Sequence, residues 1–195
     1  MKGLIKVVDE EGKTVCRGER GELLARGYNI MRGYWGDEER TKKELTEDHW
    51  YHTGDTATMT ADGSVDIVGR TKDMIIRGGE NIYPTEIEQF LFKHPAIEDA
   101  QVIGVPDDRL GEEVCVWIRL REGKLLTVEE LKAYCKGKIA HYKIPRYVLF
   151  KKESDFPITA TGKVKKYELR RISREELGLD QNQTSRDRLT MSNVI

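Results

Sequence analysis

An α+β fold in two parts is expected of this 195-residue chain, and three observations point to it. Up to about residue 71 the apolar residues fall in short β-branched runs between glycine turns, the pattern of strands and hairpins. From about residue 72 to 171, strand patterns alternate with helix patterns that carry recognisable starts and stops. Between the two lies Gly69 to Asn81, where a charged knot (Arg70, Lys72, Asp73) runs into an apolar pair (Ile75, Ile76) and then a glycine pair (Gly78, Gly79). A flexible linker would be Gly/Ser-rich and free of apolar residues. This junction instead reads as a strand or hinge that also touches something polar.

In the first part, Ile5 to Val8 reads as a strand, Asp9 to Lys13 as a tight turn, and Thr14 to Cys16 as a returning strand. Glu22 to Arg26 is a further short strand closed by Gly27. Asp37 is placed to cap a charged turn of helix running to Lys43. Asp62-Gly63 is a hairpin turn, and Val65 to Gly69 alternates as a half-buried strand. The whole has the pattern of part of a barrel.

In the second part, Tyr83 to Phe92 is helical, with Pro84 suited to the first helical position and Ile87, Phe90 and Leu91 as the inward stripe. His94-Pro95 stops it. Ile97 to Val105 and Val114 to Leu120 read as strands joined by a turn at Pro106 to Asp108, the second of them buried. Thr127-Val128-Glu129-Glu130 is a capping box opening a helix. Tyr147 to Phe150 is a strand, Ser154 to Lys163 a loop, and Val164 to Arg171 a final helix. Residues 172–195 are expected to be a loose tail, with Gln181 to Ser185 disordered on composition.

Composition excludes several classes of function. With 33 basic and 34 acidic residues the net charge is -1, whereas a general nucleic-acid binder shows a basic excess. No apolar run approaches the roughly 18 residues of a membrane span. Cys16, Cys115 and Cys135 show no C-x-x-C spacing, and the four histidines show no metal-ligand spacing; three reduced thiols and no metal site is the expectation. Met1 to Leu4 lacks the apolar core of a signal peptide and runs straight into a strand pattern, as in a piece of something longer.

Three places have residues suited to chemistry. Asp55, after Thr53-Gly54, can offer two acceptor oxygens to the vicinal diol of a ribose; a turn aspartate capping its own backbone is an equal reading. In the junction, Arg70 is a multi-donor fork suited to ribose or phosphate oxygens, and Gly78-Gly79 lets a backbone approach a ligand closely. The bland reading there is a β-turn with a surface salt bridge from Arg70 or Lys72 to Asp73. The loop Pro157 to Lys163 delivers one lysine that can neutralise charge on a phosphate or carboxylate; a solvated lysine in a patch with Lys165 and Lys166 is the ordinary alternative.

Each signal alone is weak, but their order is specific. Gly21-Glu22-Leu23, Gly33-Tyr34-Trp35, Trp50 to Asp55, Gly69 to Asp73, Gly78 to Pro84, Lys143-Ile144-Pro145 and Pro157 to Lys163 together resemble the carboxy-terminal part of the adenylate-forming enzymes. Within that superfamily the chain is most similar to the medium-chain acyl-CoA synthetases, from about Gly3 to Arg171. The resemblance implies residues 1–71 as the β-rich, incomplete end of a large AMP-binding domain, with exposed sheet edges that invite self-association into a homo-oligomer. It implies residues 72–171 as the small α+β lid domain. Asp55 is then the ribose ligand, Arg70 its helper at ribose or phosphate, and Lys72 the hinge. Lys163 is the catalytic lysine between carboxylate and α-phosphate, and Gly79 lies in the loop lining the pantetheine tunnel.

The implied substrates are ATP, converted to AMP, coenzyme A and a small carboxylic acid, with Mg²⁺ accompanying the nucleotide. The implied location is mitochondrial, otherwise cytoplasmic. The family's phosphate-cradling glycine-rich loop and acyl pocket have no counterpart here, so the chain alone is expected to have little or no synthetase activity. A non-catalytic interaction fragment, or a ligase for a non-fatty acid, are the competing expectations. Lys132, Lys136, Lys138, His141 and Lys143 are candidates for the CoA 3′-phosphate or simply a solvated helix face.

Overall fold

The computed structural model of the protein describes residues 3–179. The chain divides into two compact units between Lys72 and Asp73.

The first unit is a four-stranded antiparallel meander, β1 (Leu4–Val8), β2 (Arg20–Arg26), β3 (Tyr51–Met59) and β4 (Val65–Arg70), in that spatial order. Val7, Val8, Leu24 and Ala57 are its buried apolar residues. Thr14 to Cys16 is not a strand: only an isolated bridge from Val8 to Thr14 forms. One helix, α1 (Glu38–Glu44), interrupts the sheet, and Asp37 caps it by accepting the Arg40 N–H at 2.9 Å. Two irregularities matter for the site. Between Glu22 and Leu24 of β2, the pairing on β3 jumps from Thr56 to His52, so Thr53, Gly54 and Asp55 bulge opposite the single residue Leu23. On the other edge of β3 the pairing jumps from Gly69 to Ile67, leaving Val68 as an extra residue. That second bulge overturns the expected alternation of Val65 to Gly69. An inserted residue moves the following side chains to the other face, and Ile67 is 51% exposed.

In the second unit, β5 (Ile75–Arg77) and β6 (Glu80–Ile82) form a hairpin on the edge of a long antiparallel pair, β7 (Ile97–Asp107) and β8 (Gly111–Leu120). Strand β9 (Tyr147–Phe150) runs parallel to β8. The turn expected at Pro106-Asp107 is still strand, because Pro106 and Asp107 pair with Glu112 and Gly111.

Residues in β7 and β8 alternate between two separate cores, which is why both read as continuous apolar runs. Ala100, Val102, Val114, Val116 and Ile118 face α2 (Pro84–Leu91) and α3 (Val128–Cys135), meeting Ile87, Leu91, Leu131 and Cys135. Ile103, Val105, Cys115 and Trp117 face Phe156 and Leu169, the latter on α4 (Lys166–Glu176). Each fully buried aliphatic side chain in such a core contributes about 1.5–3 kcal/mol of transfer free energy. The Thr127–Glu130 capping box opens α3 as expected, with Thr127 accepting from the Glu130 N–H at 3.2 Å and donating its own N–H to Glu130 at 2.8 Å.

The final helix differs from expectation at both ends. It begins at Lys166 rather than Val164 and continues to Glu176, so the first residues assigned to a loose tail are ordered. The reason is tertiary: Ser173 is fully buried and accepts the Trp117 indole N–H at 2.7 Å, and Ile172, Leu177 and Leu179 pack on the same core. Residues 180–195, including Gln181 to Ser185, lie outside the described residues.

Candidate functional site

In the first unit the residues converge on the β3 bulge. Gly54 has φ +70°, a conformation that costs an L side chain roughly 1–2 kcal/mol. The bulge is held from both sides. Glu22 accepts the Gly54 N–H at 3.3 Å with one oxygen and bonds His52 Nδ1 at 2.9 Å with the other. The Thr53 hydroxyl donates to the Leu23 carbonyl at 2.7 Å and accepts the Asp55 N–H at 3.1 Å.

Asp55 is therefore not a free turn aspartate capping itself but a strand residue at the bulge's end. It pairs in register with Arg70 on β4, and the Arg70 Nε lies 3.2 Å from its carboxylate. The Asp55 side chain is 29% exposed and that of Arg70 54% exposed, so both keep solvent-facing surface, the carboxylate as an acceptor and the guanidinium as a donor. Lys72 follows in a single 3₁₀ turn, Thr71–Asp73. Of the surface salt bridges considered for Asp73, the one from Arg70 does not form: Arg70 faces Asp55, and Asp73 faces Arg170 of α4 at 3.5 Å.

In the second unit, Gly78 and Gly79 form the turn between β5 and β6, with φ +58° and +88°. A side chain at Gly79 would meet nothing within 4 Å, so backbone geometry and open access distinguish this position, not packing. Lys163 sits on a separate turn, tightly braced. The Thr159 N–H donates to the Lys163 carbonyl at 2.8 Å, the Gly162 N–H to the Thr159 carbonyl at 2.9 Å, and the Lys163 N–H to the Thr159 hydroxyl at 3.0 Å.

The expected lysine patch resolves into three different roles. Lys165 pairs with Glu168 at 3.1 Å, and Lys166, partly buried, pairs with Glu88 at 2.7 Å while also donating to the Val102 carbonyl. Lys163 remains exposed, with no carboxylate in ion-pair range among the described residues. Of the basic residues near α3, Lys143 is taken up by Glu86 at 2.5 Å and Lys138 lies over the Tyr134 ring, while Lys132, Lys136 and His141 are exposed.

Sequence reading missed the supports. Glu22 is far in the chain from His52 and Gly54, and Glu88 from Lys166, and only the fold brings each set together. Glu113 had one usable signal: an acid set directly before the apolar run Val114 to Ile118. It is 1% exposed and receives Arg77 through two 2.8 Å bonds. Cys115 and Cys135 are buried, and burial pushes their thiols up to about 12 and about 11. No group of three or more His, Cys, Asp or Glu able to hold a metal occurs among the described residues. No helix there is long and apolar enough to cross a membrane.

Comparison with known proteins identifies relatives of the chain. Residues 86–163 match the family model of the AMP-binding enzyme C-terminal domain. The mitochondrial medium-chain acyl-CoA ligase ACSF2 of Danio rerio is 58% identical over 175 residues, covering 89% of this chain and 28% of that protein. Its Homo sapiens counterpart is 50% identical over 175 residues with the same coverage of 89% and 28%. The chain thus spans under a third of the length of the curated relatives it matches.

Among solved structures, ATP-bound MatB from Rhodopseudomonas palustris aligns with TM-score 0.81 at 35% identity, over 87% of this chain and 34% of that one. The o-succinylbenzoate CoA synthetase of Bacillus subtilis, in complex with its acyl-adenylate intermediate, aligns with TM-score 0.80 at 32% identity, over 86% and 33%. The chain is thus similar to the carboxy-terminal portion of the AMP-binding acyl-CoA ligases, and its residues 86–163 match their C-terminal domain.

Proposed function

We propose that this chain is the carboxy-terminal part of an ATP-dependent, AMP-forming acyl-CoA synthetase that activates a medium-chain fatty acid. Residues 1–71 belong to the large nucleotide-binding domain and residues 72–171 are the lid. A medium-chain acid is favoured because the ACSF2 relatives matched at 50% and 58% identity carry that name, whereas the solved neighbours named for other acids match at lower identity. The mitochondrial names of the same relatives support a mitochondrial location.

The single observation that carries the reading is the bulge that presents Asp55 beside Arg70 with carboxylate oxygens still available. Asp55 accepts the two ribose hydroxyls, and Arg70 steadies the carboxylate while offering N–H groups to ribose or phosphate. In the first half-reaction the acid's carboxylate oxygen attacks the α-phosphorus and pyrophosphate leaves. The Lys163 ammonium sits between the two anions and offsets charge as it develops. In the second, the CoA sulfur attacks the acyl carbon, the acyl–oxygen bond breaks and AMP departs, with the Gly79 turn lining the approach of the pantetheine. Two half-reactions at one centre need different groups, and rotation about Lys72 supplies them in turn.

The test is a chimera in which this chain replaces the corresponding carboxy-terminal portion of the Danio rerio ligase. ATP- and CoA-dependent thioester formation from a medium-chain acid supports the reading. A folded chimera that forms neither adenylate nor thioester overturns it and leaves the interaction-fragment reading as the better one.

A further inference from the structure

The turn carrying Gly78 and Gly79 is not a loose hairpin tip. Three consecutive residues leading into it are each held by the tip of the β7–β8 hairpin. The Ile76 N–H donates to Glu112 at 2.8 Å. The Arg77 side chain donates twice to Glu113, Nε and Nη2 each at 2.8 Å. The Gly78 N–H donates to the Leu110 carbonyl at 2.8 Å.

Those contacts close into a ring. Glu113 also faces Arg146 at 3.6 Å, and Arg146 pairs with Asp107 at 3.0 Å. Asp107 accepts the N–H groups of Leu110 and Arg109 at 2.9 and 3.0 Å, which fixes the carbonyl that receives Gly78. The path runs Arg77, Glu113, Arg146, Asp107, Leu110, Gly78 and back to Arg77. Beyond it, Gly79 is exposed, with open space where a side chain would be.

Burying an ion pair is a poor way to gain stability, since apolar residues of similar volume commonly do as well or better. What a bidentate guanidinium–carboxylate pair adds is direction. Here that direction is imposed on the residue immediately before the glycine turn.

We propose that Arg77, Glu113, Arg146 and Asp107 form a positioning clamp that fixes the Gly78-Gly79 turn for the thioester-forming half-reaction. This rests on the function proposed above. Arg77 and Glu113 are positioning residues; they act through the turn backbone. Loss of the clamp lets the turn wander, and misplacement of a substrate-lining segment by about 1 Å lowers rate by up to about 10²-fold. The adenylate-forming step, which uses Lys163 on a different turn, does not pass through the clamp.

The experiment uses the chimera described above with Glu113→Gln, and with the double replacement Arg77→Met/Glu113→Leu, which keeps apolar volume and so guards against simple unfolding. Adenylate formation and CoA-dependent transfer are measured separately in single turnover, with the KM for CoA. Amide hydrogen exchange at Ile76 and Gly78 is followed in the same variants of the 195-residue chain. The expected result is transfer reduced about tenfold or more with adenylate formation within about twofold, and faster exchange at Gly78. Equal loss of both half-reactions, or unchanged transfer despite faster exchange, overturns the clamp. A wild-type chimera that makes no adenylate or thioester would instead overturn the proposed function itself, and with it this proposal.

Discussion

Asp55→Asn separates binding from folding at the proposed ribose site. The substitution keeps the side chain's size and removes its charge. Asp55 and Arg70 lie 3.2 Å apart, but their side chains are 29% and 54% exposed, and an ion pair so solvated contributes at most about 1 kcal/mol. The bulge itself is held by Glu22 and the Thr53 hydroxyl, and the Asp55 N–H that bonds Thr53 is retained. The first unit should therefore lose less than about 1 kcal/mol, a fall of no more than about 4–8 °C for a unit of this size. Nucleotide binding should suffer far more. Hydrogen bonds to a charged acceptor contribute about 1.5–3 kcal/mol each. Losing the equivalent of one raises the KM for ATP by roughly 10- to 150-fold. The assay pairs thermal unfolding of the chain with ATP titration of the chimera. A loss above about 2 kcal/mol with unchanged ATP affinity would show that Asp55 serves the bulge's structure, and the reasoning would fail.

Three further outcomes follow from particular residues. In the native chain a thiol reagent should label Cys16 quickly and spare Cys115 and Cys135, whose buried thiols are raised to about 12 and about 11; labelling of all three at one rate, read by mass spectrometry, would contradict the packing. His49 has φ +62°, so His49→Gly should stabilise the first unit by about 0.5–1 kcal/mol, after the glycine's own entropic cost, as read by chemical denaturation. Asp107 is held below its usual value by the Leu110 N–H, then by the Arg109 N–H and the Arg146 and Arg109 charges. A carboxylate with a depressed folded pKa contributes stability above its unfolded pKa, and loses it as pH falls through the folded value. Asp107→Asn should therefore destabilise the second unit at neutral pH and flatten its decline below about pH 4; a variant with the wild-type acid profile would refute this.

Much of the fold was legible because its signals are local. The Asp37 cap, Pro84 at the start of α2 and the Thr127–Glu130 box each act within one turn of helix, so residue type and spacing suffice. What could not be read depends on a partner strand or helix. The Val68 bulge exists only against β3 and turns Ile67 outward despite an alternating pattern. The extension of α4 depends on Trp117, 56 residues away, finding Ser173.

The same division holds at the site. Asp55, Arg70, Lys72, Gly79 and Lys163 stood out through motif order and family resemblance. Their supports did not, because Glu22 to Gly54 spans 32 residues and Arg77 to Glu113 spans 36. Separating Lys163 from Lys165 and Lys166 likewise needed the positions of Glu168 and Glu88.

The most direct measurement is the rate of each half-reaction in chimeras carrying Lys163→Ala or Gly79→Leu, by single-turnover trapping of acyl-adenylate and acyl-CoA. Removing one preorganised cationic group should slow adenylate formation by about 10²–10³-fold while leaving transfer from supplied acyl-adenylate nearly unchanged. Gly79→Leu should do the reverse, filling the open space beside the turn and slowing transfer alone. If both substitutions slow the same step, or if neither alters either step, the assignment of one loop to each half-reaction is wrong.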